Sequence, residues 1–129
     1  FKMIAKSQAE ARVIKDIVKS TKIHPSADWI YNKAKEIMPN ISLGTVYRNL
    51  KRLENKGEIS TIFDDQIVRY DGNTKSHHHF KCTKCGELID INNYKNIVPK
   101  KILDKYKIKI EEVNLMILGK CQKHNKTNE

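Results

Sequence analysis

Three sets of side chains in this 129-residue chain have the types and spacing to do chemistry. The softest is Cys82-x-x-Cys85, followed far downstream by Cys121-x-x-His124. A Cys-x-x-Cys turn can offer two thiolates to one tetrahedral ion about 2.3 Å away, and a second pair of ligands completes four. The two pairs are too widely separated, and lack the further His, for a finger with two Cys and two His. Three readings stay open: Zn(II) on three thiolates and one imidazole, three thiolates and a water, or a reduced dithiol with Cys121 as a small buried apolar residue. The harder set is His24, Asp71, the run His77-His78-His79, and Asp90. Alternate residues of an extended segment share a face, so His77 and His79 point together while His78 points away. Three imidazoles and two carboxylates suit Fe(II), Mn(II), Zn(II) or Co(II), although adjacent surface histidines that bind metal nonspecifically would read the same way. The third set is Tyr47, Arg48 and Lys51. Arg offers a planar fork to guanine or phosphate, Tyr an edge to a thymine methyl, and Lys a phosphate contact.

These sets need elements to hold them. Ala11, Ile14, Ile17 and Val18 recur at helical spacing, as do Ala27, Ile30, Tyr31, Ala34, Ile37 and Met38, with Pro25-Ser26 opening the second run and Pro39 closing it. A third helix starts at Ser42 as N-cap, turns Leu43, Val46, Leu50 and Leu53 to one side, and stops at Gly57. Its other face carries Tyr47, Arg48 and Lys51. Glu58 to Phe63 and Gln66 to Asp71 are β-rich and separated by Asp64-Asp65, the pattern of a short hairpin. Three helices and a hairpin make a winged helix, and the position of the third helix favours DNA as the partner of its basic face.

Beyond residues 71 to 80 the pattern changes. Phe80 to Cys82 and Glu87 to Ile91 read as short strands around the cysteine turn, Asn96 to Tyr106 as a helix with Pro99 in its first turn, and Ile108 to Leu118 as one long strand. The fold class is therefore α+β: an N-terminal winged-helix DNA-binding domain over 1–72, a hinge carrying metal ligands over 73–79, and a small α/β dimerisation domain over 80–129. A module of roughly 50 residues is marginal alone, so a metal and a second copy of the chain are expected to complete its core.

Composition narrows the function. With 25 Lys+Arg against 15 Asp+Glu the net charge is +10, which favours a polyanionic partner such as double-stranded DNA. No apolar run approaches the roughly 18 residues of a membrane span, and the first residues lack the hydrophobic stretch of a secretory signal, so the chain reads as cytoplasmic without membrane contact. It begins with Phe, and no argument rests on its first residues. Three cysteines, an odd number, argue against a disulfide framework. There is no Gly-rich phosphate loop, no Gly-x-Ser-x-Gly and no His-x-Glu signature, so the chain reads as a non-enzyme. A metallohydrolase and a metal-buffering protein are the readings from other classes.

His24-Pro25-Ser26-Ala27-Asp28, Ser42 through Leu50, Arg69-Tyr70-Asp71, His77 through Gly86 and Gly119-Lys120-Cys121 together resemble the ferric uptake regulator family of metal-responsive bacterial repressors, in that family's order. The resemblance implies a homodimer that binds a DNA operator when a divalent metal is bound. The regulatory set His24, Asp71, His77, His79 and Asp90 is similar to that of the family's peroxide-sensing branch, and iron-sensing relatives usually carry Glu where Asp90 stands. It implies Fe(II) or Mn(II) as corepressor, hydrogen peroxide as signal, and His24 or His77 as the oxidised residue. An iron- or zinc-uptake repressor is the alternative. The chain departs from the family in two places. The structural zinc usually uses two Cys-x-x-Cys pairs, whereas His124 stands last here, and Glu111, Glu112 and Val113 occupy a region where some relatives carry an accessory histidine.

Overall fold

A computed structural model describes residues 6–75, 77–92 and 97–126. The chain divides into two compact units, the first ending at Thr74 and the second starting at Lys75.

In the first unit α1 (Lys6–Lys19), α2 (Ala27–Ile37) and α3 (Leu43–Asn55) are followed by the antiparallel hairpin β1 (Ser60–Asp64) and β2 (Ile67–Asp71), a winged-helix order. The helix starts are set locally. The Ser26 hydroxyl accepts from the Trp29 amide and the Ser42 hydroxyl from the Thr45 amide, each satisfying an amide that has no partner inside its helix. Gly57 follows the α3 cap at φ 73°, and the Gly57 and Glu58 amides donate back to Glu54 O and Leu53 O, closing the helix with the left-handed turn that glycine adopts without steric cost. Ile14, Val18, Ile30, Val46 and Leu50 are fully buried between the helices, and Tyr70 seals the hairpin onto them. Burial of each such side chain contributes about 1.5–3 kcal/mol. Because α3 puts Val46, Leu50 and Leu53 into this core, Tyr47, Arg48 and Lys51 face outward. The hairpin reverses at Asp65-Gln66, one residue later than Asp64-Asp65. Asp65 takes the left-handed conformation (φ 59°), and Asp64 is the last residue of β1, buried against Arg69.

The second unit is a three-stranded sheet in the order β4-β3-β5, with β3 (His77–Cys82) antiparallel to β4 (Leu88–Asn92) and parallel to β5 (Met116–Gly119), plus the short helix α4 (Lys100–Tyr106). Several sequence expectations shift here. The central strand begins at His77 rather than Phe80, because its ladder runs from His77↔Asn92 to Lys81↔Leu88. The helix begins at Lys100, with Pro99 at the N-cap position instead of inside the first turn, and Asn96 lies outside the described residues. The long strand over Ile108 to Leu118 does not form. Lys107 turns left-handed (φ 53°) at the end of α4, residues 108–115 have no strand partner among the described residues, and only Met116–Gly119 pairs, alongside β3. Among the described residues the alternating apolar pattern finds a ladder partner only at Met116–Gly119. Among the described residues of this unit only His78, Cys82, Leu88 and Cys121 are buried, whereas Tyr106, Ile108, Ile117 and Leu118 are exposed. No described helix is long and apolar enough to cross a membrane.

Candidate metal centres and nucleic-acid face

The sulfur site is assembled where the C-terminal ends of the parallel strands β3 and β5 lie side by side. Cys82 closes β3, Cys85 follows in the turn, and Cys121 lies two residues after β5, whose Gly119 is in register with Cys82. Cys85 Sγ and Cys121 Sγ are 3.8 Å apart, and His124 Nδ1 is 3.2 Å from Cys121 Sγ and 3.8 Å from Cys82 Sγ. Ligands at zinc's usual bond lengths in a tetrahedron are separated by about 3.8 Å for two sulfurs and about 3.6 Å for sulfur and nitrogen. All four donor atoms lie within 4.8 Å of one another, so the donor set fits one tetrahedral ion. None of the cysteines is in a disulfide. Burial opposes ionisation of Cys82, but donation from the Cys85, Cys121 and Lys84 amides outweighs it and brings the thiol down to about 5. At Cys85 the Glu87 amide favours the thiolate, yet burial and the adjacent Cys82 and Cys121 sulfurs win and raise it. Cys82 is thus the readier thiolate of this pair, and Cys85 holds its proton longer.

The harder ligands fall into two groups, one in each unit. In the first unit His24 precedes α2 and Asp71 ends β2. Both are buried, with His24 Nε2 3.4 Å from Asp71 Oδ2. In the second unit His77 and His79 lie two apart on β3, their ring centroids 4.5 Å apart, and Asp90 is directly across the ladder from His79. His77 Nε2 and His79 Nε2 converge on the same oxygen, Asp90 Oδ1, at 3.2 and 3.3 Å. Two ligands at right angles on bonds of about 2.1 Å are separated by about 3.0 Å, so each imidazole stands from Asp90 at about the distance that two donors on one ion would have. His77 Nδ1 is hydrogen-bonded to the Lys75 carbonyl, which fixes the ring so that Nε2 faces Asp90. His78 is on the opposite face of β3, 1% exposed, its Nδ1 accepting from the Leu115 amide.

On α3 the outward face holds Tyr47, 49% exposed, with Arg48 and Lys51. Arg48 Nη2 donates to Thr45 Oγ1 at 3.0 Å, and Thr45 is itself hydrogen-bonded to the capping Ser42 hydroxyl, so the guanidinium is oriented from the helix start. Lys51 Nζ is 3.9 Å from Glu54 and remains largely in solvent. Thr45 was not singled out from the sequence. Its signal was available, since a residue three before Arg48 lies on the same helical face.

The model of the ferric uptake regulator family matches residues 5–118, nearly the whole chain. This protein belongs to the ferric uptake regulator family. Among curated relatives it is 38% identical over 74 residues to a peroxide-responsive repressor PerR of Staphylococcus epidermidis, a match that covers 57% of this chain and 49% of that protein. A PerR of Staphylococcus aureus (strain USA300) is 38% identical over 72 residues, covering 55% and 49%. The chain therefore spans about half the length of the curated relatives it matches. Among solved structures, the Helicobacter pylori ferric uptake regulator Fur superposes with a TM-score of 0.80 at 21% identity over 94% of this chain and 83% of that one, which shows the fold. A Campylobacter jejuni peroxide stress regulator superposes at 0.75 with 27% identity, over 92% and 90%.

Proposed function

We propose that this protein is a metal-dependent transcriptional repressor that binds an operator in double-stranded DNA as a cytoplasmic homodimer and releases it in response to hydrogen peroxide. The observation that carries the reading is the ligand chemistry: two imidazoles aimed at one oxygen of Asp90 in the second unit, and a buried His24–Asp71 pair in the first. In this proposal all five ligate one Fe(II) or Mn(II), and the chain reads as a DNA-binding domain followed by a dimerisation domain whose central strand carries His77 and His79. The donors are nitrogen and carboxylate oxygen without sulfur, which suits those ions. Tyr47, Arg48 and Lys51 meet the DNA, with Arg48 already oriented by Thr45. Cys82, Cys85, Cys121 and His124 hold structural Zn(II), whose binding free energy supplements a second unit with few buried residues. The protein has no catalytic role in this reading.

Peroxide sensing is the finer part of the proposal and rests on likeness to relatives. Fe(II) held by these residues would supply the redox chemistry that activates peroxide. In net terms the imidazole of His24 or His77 would be the reductant: one peroxide oxygen would enter a ring C–H bond, the other would leave as water, and the altered imidazole would be a poorer ligand. Asp71 and Asp90 keep their charges but lose a neutral partner, so metal and DNA are released. The supporting likeness is to peroxide-responsive repressors. The test is an operator titration of the zinc-replete chain with and without Mn(II). Mn(II)-dependent binding that Asp90→Ala abolishes supports the proposal. Binding indifferent to Mn(II) and to chelator would overturn it, and an Fe(II)-loaded complex released by chelator but never by peroxide would leave the iron- or zinc-uptake alternative.

A further inference from the structure

The loop that carries His24 is held by a side chain that none of the roles above uses. Arg69 lies in β2, two residues before Asp71, and its guanidinium reaches in three directions. Nε donates to the His24 carbonyl at 2.6 Å, Nη2 to the Ile23 carbonyl at 2.6 Å, and Nη1 to Asp64 Oδ2 at 2.9 Å. The backbone beside it repeats the attachment: the Tyr70 amide donates to the Pro25 carbonyl at 2.8 Å, and Ser26 forms a β-bridge with Arg69. Residues 23–26 are thereby fixed to β2, the strand that ends in Asp71.

His24 needs such an attachment. Its φ of 58° places a non-glycine residue in the left-handed region, which is kept only where surrounding contacts over-determine it. Its ring is nevertheless directed at Asp71, 3.4 Å away. The other end of the pair is also fixed by close packing. A Cβ on Gly72 would meet Lys19 Cα at 2.8 Å, so the chain leaving Asp71 lies directly on the end of α1. A planar guanidinium has donors at set angles and can serve two consecutive carbonyls and a carboxylate together, which a single ammonium on a flexible stem cannot reproduce.

We infer that Arg69 is a positioning residue for regulatory metal binding, setting the orientation of the His24 imidazole relative to Asp71 through the backbone carbonyls of Ile23 and His24. The inference rests on the reading of His24 and Asp71 as metal ligands. Partners that orient a ligand in this way typically account for about 10–100-fold in metal affinity.

The test is a Mn(II) titration of the full zinc-replete chain carrying Arg69→Lys, His24→Ala or both, with thermal unfolding of the first unit followed in parallel. Arg69→Lys is expected to weaken Mn(II) binding roughly 10–100-fold in the presence of His24 and to leave it unchanged in the His24→Ala background. If Arg69→Lys unfolds the first unit, Asp64→Asn takes its place. It keeps both carbonyl contacts but removes the carboxylate that steadies the guanidinium, and should weaken Mn(II) binding by a smaller factor, again only with His24 present. Unchanged affinity in either variant that folds, or an equal loss with and without His24, would overturn the positioning role. Equal Mn(II) affinity of the unaltered chain and His24→Ala would instead remove the ligand reading and the inference with it.

Discussion

His124→Ala probes the part of the molecule with the least hydrophobic support. Among the described residues the second unit buries only His78, Cys82, Leu88 and Cys121, and two of these are thiols of the sulfur site. Leu88 is the one large aliphatic side chain there, and its burial contributes about 1.5–3 kcal/mol, far too little to order a sheet and a helix. A structural zinc contributes roughly 10–16 kcal/mol to a small domain, so one ligand of four carries on the order of 3–4 kcal/mol. Each 1.4 kcal/mol is tenfold, which converts to a roughly 100- to 1000-fold weaker zinc site. His124 Nδ1 is the donor 3.2 Å from Cys121 Sγ and 3.8 Å from Cys82 Sγ, and methyl in its place leaves three thiolates and an open position. The assay is competition for zinc against a chromophoric chelator, combined with calorimetric unfolding. The expected result is easier zinc extraction and a lowered transition for the second unit, with the transition of the helical unit unmoved. His124→Cys should restore both. Zinc retention and unfolding indistinguishable from the unaltered chain would refute the assignment of the fourth ligand and the dependence of this unit on metal.

Tyr47→Ala and Arg48→Ala should each weaken operator binding by about 1–3 kcal/mol while circular dichroism stays unchanged, and unaltered operator affinity in both would exclude α3 as the reading element. Gly72→Ala should destabilise the first unit by about 1–3 kcal/mol in chemical denaturation, because the new methyl meets backbone at Lys19 rather than a yielding side chain, and a neutral effect would contradict that close approach.

Local chemistry made the first unit legible. The serines at 26 and 42, the glycine at 57 and the spacing of Val46, Leu50 and Leu53 each act within a turn of themselves, so one stretch of sequence is enough to place α2, α3 and the outward face with Arg48. The alternation of His77, His78 and His79 likewise follows from strand geometry, although the strand's true start depends on ladder partners on β4 that histidine preference cannot announce. Where pairing is non-local the sequence was ambiguous. The apolar alternation after residue 107 specifies a face but no partner, and among the described residues this stretch joins a ladder only at Met116–Gly119. Arg69 was visible as a residue without a visible role, because its partners Ile23, His24 and Asp64 come together only through the fold.

Peroxide treatment of the iron-loaded and manganese-loaded proteins side by side tests the central claim most directly. Peptide mass spectra after a small excess of peroxide, read together with operator affinity, should show one added oxygen atom on a peptide containing His24 or His77 in the iron form alone, with DNA affinity falling in proportion. The manganese form should keep both its mass and its affinity. Absence of histidine oxidation in the iron form, or equal oxidation with manganese, would contradict the account.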